Sequence, residues 1–553
     1  MQNKIKQCQN CKFDFNIEPG DFNFYEKMKV PPPTKCPSCR QQQRILFRNF
    51  KTLYRRPSSK SGKMIVSMYS PSAPFPVYDI AEWWNDDWDP MAYGIDMDWN
   101  RPFFAQYDKL VSRVPHMSMM NIKSENCGYS NMVYASKNCY LLFGSVENEN
   151  CDYGHIVWNS RDCVDNLYVF KSEACYECID CLNCNRVAYS QECEACADSI
   201  GLFDCKGCIS CTGCIGLINK SYCLFNEEIG KEKYEAYMRE NPIWKKGTLQ
   251  KILDGMENLR RSLPQRAFFG YRNNKVSGNH IYNARNVLYS FDIKSGENSK
   301  FCYTIRKAVD TYDVSFSPDV SECYQALTLA NVNKIVGSEQ ITDSHDVYYS
   351  SNCFNCDNIF GCYGLSKKSY CVLNKQYSKE EYETLQLKLK EHMARLGEWG
   401  EFFPHTLSPF CYNESIANEY RPLKKEEALK QGYRWQENIP STTGKETISF
   451  ENLPINPKDY TDDLQSEIFA CEDCGKNYHL ISREIGIYKR LGIIIPHKCF
   501  NCRHKTRMAK RNRRRLWPAE CAKCGADIQT SYDPERQKIY KLYCESCYNK
   551  EVY

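Results

Sequence analysis

NCGYSNMVYASKNCYLLFGSVENENCDYGHIVWNSRDCVDNLYVFKSEAC, residues 126–175, decides the fold. Its cysteines, Cys127, Cys139, Cys151, Cys163 and Cys175, recur every 12 residues, and Cys184, Cys193, Cys205, Cys214 and Cys223 carry the series on in steps of 9 or 12. A fixed short period is the signature of a solenoid, in which each repeat stacks on its neighbours. The residue before the cysteine is often Asn or Asp (Asn126, Asn138, Asn150, Asp162, Asn183, Asp204), as in the stacked polar turns of a parallel β-helix. Two units per rung give about 21 to 24 residues, with Tyr140, Leu142, Val157, Tyr168 and Phe170 lining the strands.

The pattern recurs at an offset of 148, pairing Cys175 with Cys323, Cys205 with Cys353, Cys208 with Cys356, Cys214 with Cys362 and Cys223 with Cys371. Both copies run into helical sequence, and Ser378 with Glu381 forms a capping box at the second helix start. In the second copy Cys139, Cys151 and Cys163 become Val287, Ser299 and Thr311, substitutes that suit a packing ladder better than a ligand set. The denser runs, Cys175 to Cys184 and Cys205 to Cys214 at every third residue, leave an iron–sulfur or zinc reading open.

Working outward, both ends carry paired CxxC knuckles. Cys8, Cys11, Cys36 and Cys39 have a 24-residue spacer, and Cys471, Cys474, Cys499 and Cys502 repeat that spacing at an offset of 463, so the ends are duplicates. Cys521, Cys524, Cys544 and Cys547 form a third set, with Tyr532, Asp533 and Pro534 as the expected turn between two strands of a compact zinc ribbon. Four thiolates leave no open position on a tetrahedral ion, so the spacing predicts three structural zinc sites and no catalytic one.

The predicted fold class is mainly β with helices: a duplicated right-handed β-helix-like solenoid flanked by zinc-ribbon or treble-clef domains. Residues 1–63 form the first zinc domain, 64–120 an aromatic-rich cap, 121–262 and 263–400 the two solenoid halves with their closing helices. Residues 401–470 are a second aromatic cap and linker, 471–517 the second zinc domain and 518–553 the C-terminal ribbon. Trp83, Trp84, Trp88 and Trp99 lie among acidic residues in the first cap, and Trp399, Phe402, Phe403, Phe410 and Trp435 mark the second. Capping of solenoid edges and an acidic, aromatic ligand groove are the two readings of these segments.

A net charge of +5 hides segregation: residues 1–63 carry +10 and residues 471–553 carry +9, leaving −14 in the middle. After the duplicated knuckles come Arg40, Arg44 and Arg48 at one end, and Arg503, Lys505, Arg507, Lys510, Arg511, Arg513, Arg514 and Arg515 at the other. With Phe47, Phe50, Tyr54 and Trp517 interleaved, these are candidate RNA or DNA contacts, by phosphate neutralisation and base stacking. The competing reading docks the basic ends onto the acidic middle.

The N-terminus has no signal-peptide pattern and the chain no long apolar run, so 34 cysteines in CxxC spacing point to a reducing, cytoplasmic setting without a membrane. There is no GxGxxG, Walker, HExxH or nucleophile-elbow motif, and none of the nine histidines pairs at metal-ligand spacing.

The strings FYEKMKVPPPTKCPSCR (24–40), PVYDIAEWWNDDWDP (76–90), GEWGEFFPHTLSPFCYNES (397–415) and CESCY (544–548) resemble the large, uncharacterised zinc-ribbon or treble-clef proteins of small-genome uncultivated bacteria. The resemblance spans nearly the whole chain and implies zinc at the CxxC pairs. The expected function is a zinc-binding, non-catalytic scaffold or adaptor that holds nucleic acid, RNA above all, through its basic ends. The alternatives are a scaffold for a protein partner on the solenoid face, or a β-helix enzyme acting on polysaccharide through Asp310, Asp313 and Asp319.

Overall fold

The computed structural model describes residues 3–552. Its centre is two parallel β-solenoids, residues 121–226 and 270–374, whose strands pair residue by residue at a constant step except at the start of the second. Cys127 lies beside Cys139, Phe143 beside His155, and Ile341 beside Cys353. One turn is therefore 12 residues, not the 21 to 24 expected from joining two cysteine units.

The backbone explains the short turn. Left-handed φ recurs at every third residue, as at Asn126, Tyr129, Met132, Ala135 and Asn138, with values of 47° to 57°. Each such residue swings the chain round a corner, so a turn is a four-sided ring of three-residue sides. Side chains other than Gly, Asn and Asp are strained there by about 1–2 kcal/mol, which is why Asn and Asp precede the cysteines. Their amides also form ladders: Asn126 Nδ2 donates to Asn138 Oδ1 at 2.9 Å and Asn150 Nδ2 to Asp162 Oδ1 at 3.0 Å.

A three-residue side is about 10 Å long, and the residue after each corner points inward. Four inward side chains share one layer, so only small ones fit. Cys139, Leu142, Ser145, Asn148, Cys151 and Val157 are all buried there. The interior hydroxyls and thiols are satisfied by the backbone: Ser145 Oγ donates to the Phe143 carbonyl at 2.9 Å and accepts the Val157 N–H at 3.0 Å. Cys175 Sγ lies 3.5 Å from the Glu173 carbonyl and 3.6 Å from that of Cys184. Cysteine and serine do one job here, which accounts for their exchange between the copies. Of the residues expected to line the strands, Leu142 and Val157 point inward, Tyr168 is a corner, and Tyr140 and Phe170 occupy the half-buried third position.

In the second solenoid the three-residue phase slips by one at Gly278, with φ at 143°. A Cβ there would sit 1.6 Å from the Ser290 carbonyl oxygen, so no larger residue fits. Beyond it Ile281, Ala284, Val287, Ser290 and Ile293 take the inward places, and all are buried.

Each solenoid closes with a short antiparallel hairpin, Cys223–Leu224 with Glu227–Glu228 and Ser369–Val372 with Lys375–Gln376, and then a helix. The tryptophan-rich segment covers the last turn of the second solenoid, where Ile95 N–H donates to the Leu373 carbonyl at 3.1 Å. Trp399, Phe402 and Phe403 pack on Tyr349 and Phe47 in the same core.

Candidate metal centres and their docking surfaces

The first knuckle lies between strands Lys4–Gln7 and Asp14–Ile17, followed by helices α1 (Pro19–Lys27) and α2 (Pro37–Ile45). Cys36 is the residue capping α2 and Cys39 lies in its first turn. The C-terminal copy repeats this, with helices α3 (Ser482–Leu491) and α4 (Phe500–Lys510) and Cys499 as the α4 cap. A helix N-terminus favours thiolate charge through its dipole. In the third set Cys521 and Cys524 sit in the turn between Trp517–Glu520 and Asp527–Thr530, and Cys544 and Cys547 at the start of helix Glu545–Val552. The expected turn at Asp533 instead caps a short helix, Pro534–Ile539.

In each set the four sulfur atoms lie within 4.8 Å of one another. The pairs Cys11 and Cys36, Cys474 and Cys499, and Cys524 and Cys544 are 3.7, 3.8 and 3.9 Å apart. Sulfurs at about 2.3 Å from a tetrahedral ion stand about 3.8 Å apart, so the spacing fits a metal held by four thiolates. Backbone N–H groups supply the usual support to the ligands: Cys36 N–H reaches Cys8 Sγ at 3.2 Å and Cys544 N–H reaches Cys521 Sγ at 3.3 Å.

The helix that completes each duplicated cluster presses its arginines onto a solenoid. Arg40 and Arg44 share Asp313, at 2.8 and 3.0 Å, and Arg44 also donates to Gln325 at 2.8 Å. Arg503 and Arg507 share Asp165, both at 2.9 Å, and Arg507 pairs with Glu177. The two offsets in the sequence now interlock: 463 takes Arg40 and Arg44 to Arg503 and Arg507, and 148 takes Asp165 and Glu177 to Asp313 and Gln325. The correspondence continues through Arg48 on Thr328 and Arg511 on Asp180, and through ring pairs Tyr25 with Tyr324 at 5.7 Å and Tyr488 with Tyr176 at 5.8 Å. The N-terminal module thus docks on the second solenoid and the C-terminal module on the first.

This burial changes the standing of the predicted nucleic-acid contacts. Arg40, Arg44, Arg48, Arg503, Arg507 and Arg511 are buried, and Arg514 bridges to Asp292 at 2.7 Å. Phe47, Phe50 and Tyr54 are core residues and cannot stack on bases. The reason is local: on a helix, every fourth residue faces the same side, and that side faces the solenoid. Lys505, Lys510, Arg513 and Arg515 remain on the surface. The carboxylates considered for polysaccharide chemistry are engaged as well: Asp310 with Lys27, Asp313 with two arginines and Asp319 with Arg306.

Between the solenoids lies a cavity of about 340 Å3 lined by Tyr168, Asp180, Glu192, His280, Asp292 and Lys294 among others. Asp292 would be raised by burial alone, but Arg511 and Arg514 outweigh that and hold it below the usual carboxylate range. His280 is raised: its burial is overcome by Glu192, at 2.8 Å, and Asp180. Two histidines unpaired in sequence meet in space, His155 and His504 beside Glu419, and a third, His280, lies between Asp180 and Asp292. Sequence spacing had no means of finding groups assembled from separate segments of the chain.

Comparison of the sequence with protein-family models and with curated proteins finds no match.

Proposed function

We propose that the protein is a zinc-dependent, non-catalytic scaffold in which the two duplicated four-cysteine modules are clamps that fix two β-solenoids relative to each other. The observation that carries this is the docking of each module by two arginines on one buried carboxylate, Asp313 or Asp165, together with the bridge made by Arg511, which pairs with Asp180 of the first solenoid at 2.7 Å and Asp292 of the second at 2.6 Å. A clamp needs a rigid helix start, and four-thiolate zinc supplies one. Metal affinity here is folding energy, since the short modules have little core of their own. The all-cysteine donor sets and their near-tetrahedral spacing favour zinc, and 34 cysteines without a disulfide among the described residues suit a reducing, cytoplasmic setting. No helix among the described residues is long and apolar enough to cross a membrane.

A second reading, RNA binding by the scaffold, rests on the exposed cations that docking leaves over: Lys505, Lys510, Arg513 and Arg515.

The test is removal of zinc by a chelator, followed by limited proteolysis and small-angle scattering. The expected result is cleavage near residues 1–67 and 469–512 and an expanded particle, reversed by added zinc, with the solenoids protected. An unchanged scattering profile after complete metal loss would remove the clamp reading.

A further inference from the structure

The strongest unexplained feature is a buried trio where three segments meet. His155 comes from the first solenoid, His504 from α4, and Glu419 from the stretch between the second solenoid and the C-terminal module. Their ligand atoms lie within 4.8 Å of one another. His155 is 0% exposed and neither of its ring nitrogens has a hydrogen-bond partner; His504 is 1% exposed and its Nδ1 has none. A buried polar atom left unpaired costs about 1–3 kcal/mol, so packing alone is a poor reason for two imidazoles here.

Glu419 is oriented by its surroundings. Lys51 Nζ holds Oε1 at 2.9 Å, which leaves Oε2 facing His504 Nε2 at 3.0 Å. That contact is a hydrogen bond; two donors at about 2.1 Å from one tetrahedral ion stand about 3.4 Å apart, so an ion would replace the hydrogen bond with only a slight opening of the pair. The rings of His155 and His504 lie 4.8 Å apart, walled by Phe50 and Phe500. The duplication offers an internal contrast: the offsets take His504 back to Gln41 and His155 forward to Tyr303, so the other docking interface has no such trio.

We propose that His155, His504 and Glu419 form a fourth metal site, for a divalent first-row transition ion, that ties the first solenoid, the C-terminal clamp and the intervening segment together. Two imidazoles and a carboxylate suit zinc or iron(II) rather than calcium or magnesium. The site is chemically distinct from the three thiolate clusters and does not depend on their role as clamps.

The full-length chain saturated with zinc and freed of excess by gel filtration is measured for metal content and by X-ray absorption. Four zincs per chain, one with nitrogen and oxygen ligands only, are expected, falling to three in His155→Gln and in Glu419→Gln. Three zincs in the wild-type chain, or four with sulfur ligands only, overturn the proposal. So does a fourth zinc that persists in His155→Gln, since it then belongs elsewhere, as at Asp180, His280 and Asp292. Should both variants fail to fold, the wild-type chain decides: a fourth zinc held by two imidazoles supports the trio, and one held by a single imidazole overturns it, since Asp180, His280 and Asp292 offer only one.

Discussion

Asp165 and Asp313 are each fully buried and each neutralised by two arginines. Removing one partner of such a group strands charge in the interior and typically costs about 3–5 kcal/mol. Asp165→Ala should therefore destabilise by that order, measured by urea unfolding, and loosen the C-terminal module, whereas Asp313→Ala loosens the N-terminal one. Equal loosening of both modules by either change would contradict the crossed docking. Glu339 raises a question of pH. Burial lifts its carboxyl to about 8, against which Ser351 and Arg48 pull only weakly. Because the folded form keeps a proton that the unfolded chain has lost above about pH 4.5, stability falls as pH rises from there toward 8. Glu339→Gln should abolish that slope and stabilise near pH 8 by at most on the order of 4 kcal/mol; a variant with an unchanged pH dependence would remove Glu339 as its source.

At the scale of the element, the rule is corner, inward, third position. Asn150 holds φ at 53° and donates to Asp162 at 3.0 Å. Asn150→Val puts a β-branched side chain in the left-handed region and breaks the ladder, an expected loss of about 2 kcal/mol. A thermal melt within error of wild type would mean that corners tolerate any residue. The period of 12 was legible in the cysteines alone, as were the Asn and Asp corners and the three CxxC-paired cysteine sets. The turn was misread because steps of 3 and 9 move an inward residue to another side of the same ring, as from Cys175 to Cys178, Cys181 and Cys184. Those steps look like irregularity when only two faces of a strand are considered. The hairpin-plus-helix form of the third cluster was hidden for another reason: CxxC fixes ligand spacing without saying whether the second knuckle begins a strand or a helix.

For the whole molecule, charge segregation along the chain turns out to be mostly internal bookkeeping. The +10 and +9 of the ends face the −14 of the middle, and the arginines that made the C-terminal run look like a nucleic-acid grip are paired with Asp165, Glu177, Asp180 and Asp292. Both offsets, 463 and 148, were visible in the sequence, but no single-chain pattern says that one duplicate docks on the other's neighbour. What is left for a polyanion is the solvent side of α4 and the stretch after it: Lys505, Lys510, Arg513 and Arg515. If these four each neutralise one phosphate of single-stranded RNA, the logarithm of affinity falls with the logarithm of salt with a slope of about −3. Replacing all four with Gln should bring that slope close to zero with little change in melting temperature, because all four side chains are exposed. RNA affinity that survives the quadruple change with its salt dependence intact would place the contact elsewhere. No measurable RNA affinity in the wild-type chain would leave the exposed cations as a solvated face and the clamped solenoids as a platform for protein.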